Sequence, residues 1–317
     1  MATNSEFEFL LFDRITKIQS VMRQYGEENF YLSFSGGKDS TVLSALLDMA
    51  LPGNKIPRVY INTGIEYKLI REFVEDLEYK DERFHMIAPQ KNIKKTLEEE
   101  GYPFKSKEHS EYLDIYQRNG KTKTYERYMN PSEERKTFGC PESLKYQFTE
   151  DFKLKVSDKC CFRMKEEPLR NWAKEHEKPY AIIGIMRDEG GRRNRAECLA
   201  FSGKKLAAFQ PLAVVTKEWE DWFIKKYDIR LSPIYYEPYN FERTGCKGCP
   251  FAINLQEQLD ILDTFFPTEK KQCEIIWKPV YDEYRRIGYR LHKDEFRQAS
   301  IFDFIPFQNY VDNKIAN

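Results

Sequence analysis

The stretch "FYLSFSGGKDSTVLSALL", residues 30–47, constrains the fold more than any other. Phe30 to Phe34 read as a short strand, and Ser40 to Ala50 carry aliphatic residues at helical spacing. Between them lies a tight turn of Ser35, Gly36 and Gly37, which leaves backbone N–H groups unpaired at a helix start. Glycines let an oxyanion approach the backbone closely, and Lys38 adds positive charge. Asp39 has the wrong sign for a pure anion cradle; it suits Mg²⁺ or the first helical turn, where Ser40 follows. The Walker pattern is not matched, because no glycine lies five residues before Gly37. The turn from Ser35 to Ser40 is expected to hold phosphate.

The same alternation continues. Leu11, Ile15, Ile18 and Met22 make a helical stripe over residues 7–25, closed by Gly26. Arg58 to Asn62 form a second strand, followed by the turn "TGIEY" and a charged helix to Lys80. "RFHMIAP" is a third strand, and "YAIIGI", residues 180–185, a fourth. Strands separated by helices predict an α/β fold, a mostly parallel twisted sheet with helices on both faces. Residues 101–137, with five tyrosines and no buried-strand pattern, are expected to form a helical insertion or lid. Residues 251–317, which include "FDFIPF", are expected to form a C-terminal helical subdomain behind a domain of residues 1–250 that carries the phosphate turn.

Charge adds little. Lys and Arg together number 51, as do Asp and Glu, so net charge gives no argument for a nucleic-acid partner. The longest apolar runs are too short to span a bilayer, and the acidic start "MATNSEFEFLLF" does not read as a signal peptide. No membrane partner is expected, and the cytoplasm is the expected compartment. In that setting seven cysteines are free, metal-bound or catalytic rather than disulfide-paired. Cys160 and Cys161 stand together in "KCCFRMKEEPL", and Cys246 and Cys249 form a CxxC in "RTGCKGCPF". Together they make four thiolates, the number that either Zn²⁺ or a [4Fe–4S] cluster requires. Cys140, Cys198 and Cys273 are left over.

"SGGKDS" resembles the pyrophosphate-binding loop of the adenine-nucleotide α-hydrolase superfamily, which includes ATP pyrophosphatases and the reductases of adenylyl and phosphoadenylyl sulfate. The resemblance implies that the loop holds phosphates or phosphosulfate and that the second strand's end, Asn62, Thr63 and Gly64 in "INTGIEY", holds the adenine. "KCCFRMKEEPL" resembles the cluster motif of the assimilatory reductases, with Lys165, Pro168 and Leu169 at the matching places. It implies a [4Fe–4S] cluster on Cys160, Cys161, Cys246 and Cys249, and a Lys165 cation linking that cluster to an anionic substrate. "GIMRDEGGRRNR" is similar to the reductases' arginine segment, with Arg187 and Arg193 in register. Guanidinium forks suit phosphate or sulfate bidentately. The likeness spans roughly residues 30–250, with 101–137 as an insertion.

One family element is missing. The assimilatory reductases use a cysteine near the C-terminus as nucleophile, whereas the last cysteine here is Cys273, in "PTEKKQCEIIWKPVYDEY", which reads as one continuous helix. The resemblance implies a phosphoadenylyl-sulfate reductase-family enzyme in sulfur reduction or transfer, with Lys38, Arg187 and Arg193 as catalytic residues and a thiol reductant or sulfur acceptor as partner. Two other readings stand beside it. One is an ATP pyrophosphatase, using Mg²⁺, that adenylates a nucleic-acid or small-molecule acceptor for sulfur insertion. The other is a non-catalytic nucleotide-binding protein with structural zinc.

Overall fold

The computed structural model describes residues 3–133, 139–189 and 191–293. Helix α1, Asn4–Tyr25, begins three residues earlier than the apolar stripe, because Thr3 and Glu6 form a reciprocal capping box. Strand β1, Phe30–Phe34, leads through the glycine turn into α2, Lys38–Ala50. Strand β2, Arg58–Ile61, precedes α3, Lys68–Lys80, and β3, Phe84–Ile87, precedes α4, Ile93–Glu100. Helices α5, Lys107–Asn119, and α6, Lys123–Met129, follow, then α7, Glu167–Glu175, and β4, Tyr180–Ile182. Strands β5, Leu199–Ser202, and β6, Lys205–Phe209, precede α8, Lys217–Lys226. The described chain closes with α9, Leu255–Phe265, α10, Pro267–Ile276, and α11, Lys278–Ile287.

The sheet order is β3-β2-β1-β4-β6-β5, parallel except for β5 against β6. Strand alternation sends Phe30, Leu32 and Phe34 to one face, where Val42, Leu43, Leu46 and Leu47 of α2 are fully buried in the main core. Burying each such leucine is worth about 1.5–3 kcal/mol. Tyr31 and Val59 point to the other face and pack on Trp172 of α7. From β1 the chain runs outward to β2 and β3, then returns to β4 on β1's other side. The turn after β1 therefore lies at the switch point, where open α/β sheets form a crevice.

Two expectations are corrected. The fourth strand ends at Ile182 rather than residue 185, and the β5–β6 hairpin went unread. The segment "PTEKKQCEIIWKPVYDEY" is two helices broken at Trp277, because Pro279 lacks the N–H that would continue the ladder. The region expected as a helical insertion or lid does carry helices α5 and α6, and over residues 101–133 it packs into the main core through Phe104, Leu113 and Tyr128. His109, fully buried within it, bonds Tyr128 Oη at 2.8 Å and Gln147 Oε1 at 2.7 Å. Residues 134–138 and the segment "FDFIPF" lie outside the described residues.

Candidate functional site

The glycine turn is tied mainly to itself. The Ser35 N–H donates to Ser40 Oγ at 3.2 Å, and Gly37 N–H donates to Ser35 Oγ at 3.2 Å. The Ser40 and Thr41 hydroxyls both donate to Gly37 O, at 3.0 and 2.9 Å. Gly36 has φ +70°, and a Cβ there would stand 2.8 Å from Val74 Cγ2 and 2.9 Å from Ile70 Cγ2. Gly184, just past β4, packs on the Asp39 backbone, where a Cβ would stand 3.2 Å from Asp39 C and O. Lys38 Nζ reaches Asp221 Oδ1 at 3.4 Å; with Asp221 exposed, this pair is worth little and leaves the ammonium available to an anion.

One tie reaches far along the chain. The Lys38 N–H donates to Tyr235 Oη at 3.2 Å, and that hydroxyl bonds Thr244 Oγ1, two residues before Cys246. The glycine turn and the CxxC segment are thus joined through the Tyr235 side chain.

At the end of β2 the Asn62 N–H donates to Ile87 O at 2.8 Å, and Gly64 N–H donates to Asn62 Oδ1 at 3.1 Å. Thr63 donates through N–H and Oγ1 to the Glu66 carboxylate, at 3.0 and 2.5 Å. The Lys247 N–H donates to Ile65 O at 2.7 Å, fastening this turn to the CxxC.

Cys160 and Cys161 open the helical segment that widens into a π-turn, Phe162–Glu166, before α7. Such turns are frequent at functional sites. The four thiols lie within electrostatic reach of one another, and Cys161, Cys246 and Cys249 within reach of Lys165. Cys160 hydrogen-bonds Cys161, which holds the Cys160 thiol protonated and brings Cys161 down to about 6, with Lys107 and Lys165 assisting. Burial pushes Cys246 and Cys249 up, while Lys165, hydrogen-bonded to Cys246, opposes it. The Cys246 sulfur in turn raises the Lys165 ammonium and keeps it charged.

Among the described residues no group of three His, Cys, Asp or Glu side chains is set to hold one metal ion. The donor chemistry nevertheless fits a thiolate-ligated group: four cysteines, a cation, and the Tyr60 hydroxyl, which is buried without a partner and faces electrostatic influence from Glu66 and Cys246.

The CxxC turn is held from behind by the last two helices. Trp277 Nε1–H donates to Lys247 O at 3.1 Å, Tyr281 Oη–H to Gly248 O, and Tyr284 Oη–H to Pro250 O at 2.9 Å. Tyr284 Oη also accepts from Lys105 N–H at 2.8 Å, joining the 101–137 region to the same turn. Gly248 has φ +61°, and a Cβ there would stand 2.5 Å from Tyr281 Oη and 2.8 Å from Cys273 Sγ. Cys273 is therefore packed behind the turn and fully buried; burial lifts its thiol to about 12.

The sequence-derived set is thus brought together only in part. Ser35 to Ser40, Asn62 to Gly64, Lys165 and the four cysteines form one connected region. Arg187, three residues past Gly184, is exposed and donates to Ala196 O rather than to the turn. Arg193 is half-buried in the short turn Gly191–Arg195. Sequence reasoning missed Glu66, Lys107, Tyr60, Tyr235 and Thr244. Glu66 and Thr244 lie inside the quoted motifs "INTGIEY" and "RTGCKGCPF" but were given no role there, and Tyr60 lies in the strand Arg58–Asn62; Lys107 and Tyr235 carried no signal.

A glycine turn at the switch point of a mostly parallel sheet with covering helices places the chain among the open α/β folds. Residues 29–139 and 123–252 match the sequence model of the phosphoadenosine phosphosulfate reductase domain, and the chain belongs to that family. It is 25% identical over 286 residues to an uncharacterized protein, MJ0973, of Methanocaldococcus jannaschii, a match covering 86% of this chain and 56% of that one. The chain thus spans little more than half the length of this relative.

Solved structures superpose more loosely. A phosphoadenylyl-sulfate reductase of Candida auris, solved with phosphate, is 12% identical, with 74% of this chain and 91% of that chain covered and a TM-score of 0.40. The NH3-dependent NAD synthetase of Campylobacter jejuni is 13% identical, covering 90% and 97%, with a TM-score of 0.40. The U34-tRNA thiolase NcsA of Methanococcus maripaludis, with its [4Fe–4S] cluster, is 14% identical, covering 89% and 80%, with a TM-score of 0.38.

Proposed function

We propose that the protein is a reductase-family enzyme that binds an adenine nucleotide or sulfonucleotide and acts in sulfur reduction or transfer. The observation that carries this reading is the Lys38–Tyr235–Thr244 link, which sets the phosphate turn against the segment bearing Cys246 and Cys249. In this reading the Gly36–Gly37 backbone and Lys38 bind the phosphate or phosphosulfate, and Arg187 and Arg193 close on it from the neighbouring loop. Asn62, Thr63 and Gly64 take the base.

Cys160, Cys161, Cys246 and Cys249 would hold a [4Fe–4S] cluster. When bound, the cluster supplies redox-active iron and a concentrated negative charge. Lys165 offsets that charge, and Lys107 and Lys165 keep Cys161 ready to ligate as thiolate. Zinc on the same thiols is the competing occupant.

A second reading, an ATP pyrophosphatase that activates an acceptor for sulfur insertion, draws support from Cys273. A fully buried thiol lifted to about 12 is a poor nucleophile, which weighs against the family's cysteine route through that residue. In that reading Asp39 holds Mg²⁺.

The test follows sulfite from labelled sulfonucleotide with thioredoxin, and pyrophosphate from ATP, in wild type, Lys38→Ala, Arg187→Ala and Cys273→Ser. Nucleotide-dependent turnover is expected to vanish in the first two variants and to survive in Cys273→Ser. Sulfite release lost only in Cys273→Ser would restore the cysteine route. Pyrophosphate without sulfite would establish the second reading.

A further inference from the structure

The turn after β2 opens onto a cleft of about 470 Å³, within the range of small-ligand sites. Its lining includes Asn62, Gly64 and Glu66 after β2 together with Phe265, Phe266 and Thr268 at the α9–α10 junction. The second group lies beyond residue 252, where the family match stops. The same cleft thus joins the strand end read as the base site to the last helices.

The α9–α10 junction is fixed in place. The Glu269 carboxylate accepts from Lys68 N–H at 3.2 and 3.4 Å and from the buried Lys247 Nζ at 3.2 Å. Tyr239 backs both rings, edge-on to Phe265 with centroids 5.3 Å apart and tilted against Phe266 at 4.9 Å. Phe265 nevertheless keeps 41% of its surface exposed while lining the cleft. A braced aromatic ring left open in the same cleft as a polar strand end fits a planar heteroaromatic ligand, which stacks on one face and hydrogen-bonds along its edge. Lys68 and Arg71, which also line the cleft, suit the sugar-phosphate side.

We propose that Phe265 is the stacking wall for the base of the bound nucleotide, so that α9 and α10 complete a site the family domain only begins. The inference rests on the reading above that the phosphate chain lies on the Ser35–Ser40 turn. It also joins base binding to the thiols. Lys247, between Cys246 and Cys249, reaches Glu269 and Gln272 of the same wall, the latter at 2.7 Å.

Calorimetric titration with ATP and with inorganic pyrophosphate tests it in wild type, Phe265→Ala, Phe265→Tyr and Lys38→Ala. Phe265→Ala should weaken ATP roughly tenfold and leave pyrophosphate unchanged, and Phe265→Tyr should restore ATP. Lys38→Ala should weaken both ligands. Unchanged ATP affinity in Phe265→Ala, with Lys38→Ala still impaired, overturns the wall and leaves the phosphate turn standing. An equal loss of pyrophosphate in Phe265→Ala overturns it too. A wild-type protein that binds neither ligand overturns the phosphate-turn reading and the wall with it.

Discussion

The glycine turn after β1 and the CxxC turn both bend at a left-handed glycine, Gly36 at φ +70° and Gly248 at φ +61°, yet different parts of the chain hold them. Around Gly36 the bonds among Ser35, Gly37, Ser40 and Thr41 span five residues or fewer, and Tyr235 adds one distant tie. Around Gly248 the side-chain donors come from 30 to 40 residues away, on Trp277, Tyr281, Tyr284 and Arg290. A turn held by its own neighbours is specified wherever its short sequence occurs. A turn held from afar exists only after the helices have docked, so its geometry depends on the whole core.

The glycines test that contrast most severely. Gly248→Ala is expected to cost about 2–5 kcal/mol, combining left-handed strain with overpacking against Tyr281 and Cys273. Gly36→Ala meets only the two methyl groups of Val74 and Ile70 and should cost less. Thermal or denaturant melts of both variants decide it, and equal losses would break the contrast.

Acid probes the 101–137 region that also braces the CxxC turn. Burial holds His109 at about 4, below its ordinary 6.5, so the folded protein keeps it neutral while the unfolded chain takes a proton. The folded-state pKa is depressed, so stability rises with pH across this window and falls as pH drops from about 6.5 to about 4. The loss approaches about 3 kcal/mol. Denaturant midpoints across that range should fall steeply in wild type and less steeply in His109→Gln.

Removing one distant donor is gentler. Tyr281→Phe leaves the Gly248 carbonyl buried without its hydroxyl and should cost about 1–3 kcal/mol, read from chemical denaturation. If the CxxC turn is braced as described, chelators should also strip any bound iron faster from this variant. The smallest effect belongs to Cys273. Its buried thiol, lifted to about 12, should resist iodoacetamide at pH 8 in the folded protein and react only after unfolding. Prompt labelling would show a mobile segment where a packed one is described.

Legibility in sequence followed the same divide. The strand, the glycine turn and α2 could be read because each cause lies within a few residues of its effect. The β5–β6 hairpin escaped although Gly203 marks its turn, because two short strands after irregular turns carry too little periodicity. Pro279 was in plain view and breaks the expected helix at Trp277, but the apolar period across it outweighed the proline. The four cysteines were found as motifs. Lys107, whose charge reaches Cys161, could not be, since nothing in "SKEHSEY" says where α5 docks.

The family-matched stretch ends at residue 252, but hydrogen bonding does not respect that border. A chain cut after Phe251 would remove Trp277, Tyr281 and Tyr284, and with them the donors to Lys247, Gly248 and Pro250. It would also strip the covering from Tyr67, whose hydroxyl donates to Gln258. The excised piece would keep every recognisable motif and lose the scaffold that shapes half of them. A fragment that keeps the CxxC turn in shape must therefore retain α9 to α11, and melting of the intact protein is expected to proceed as one cooperative transition across the border.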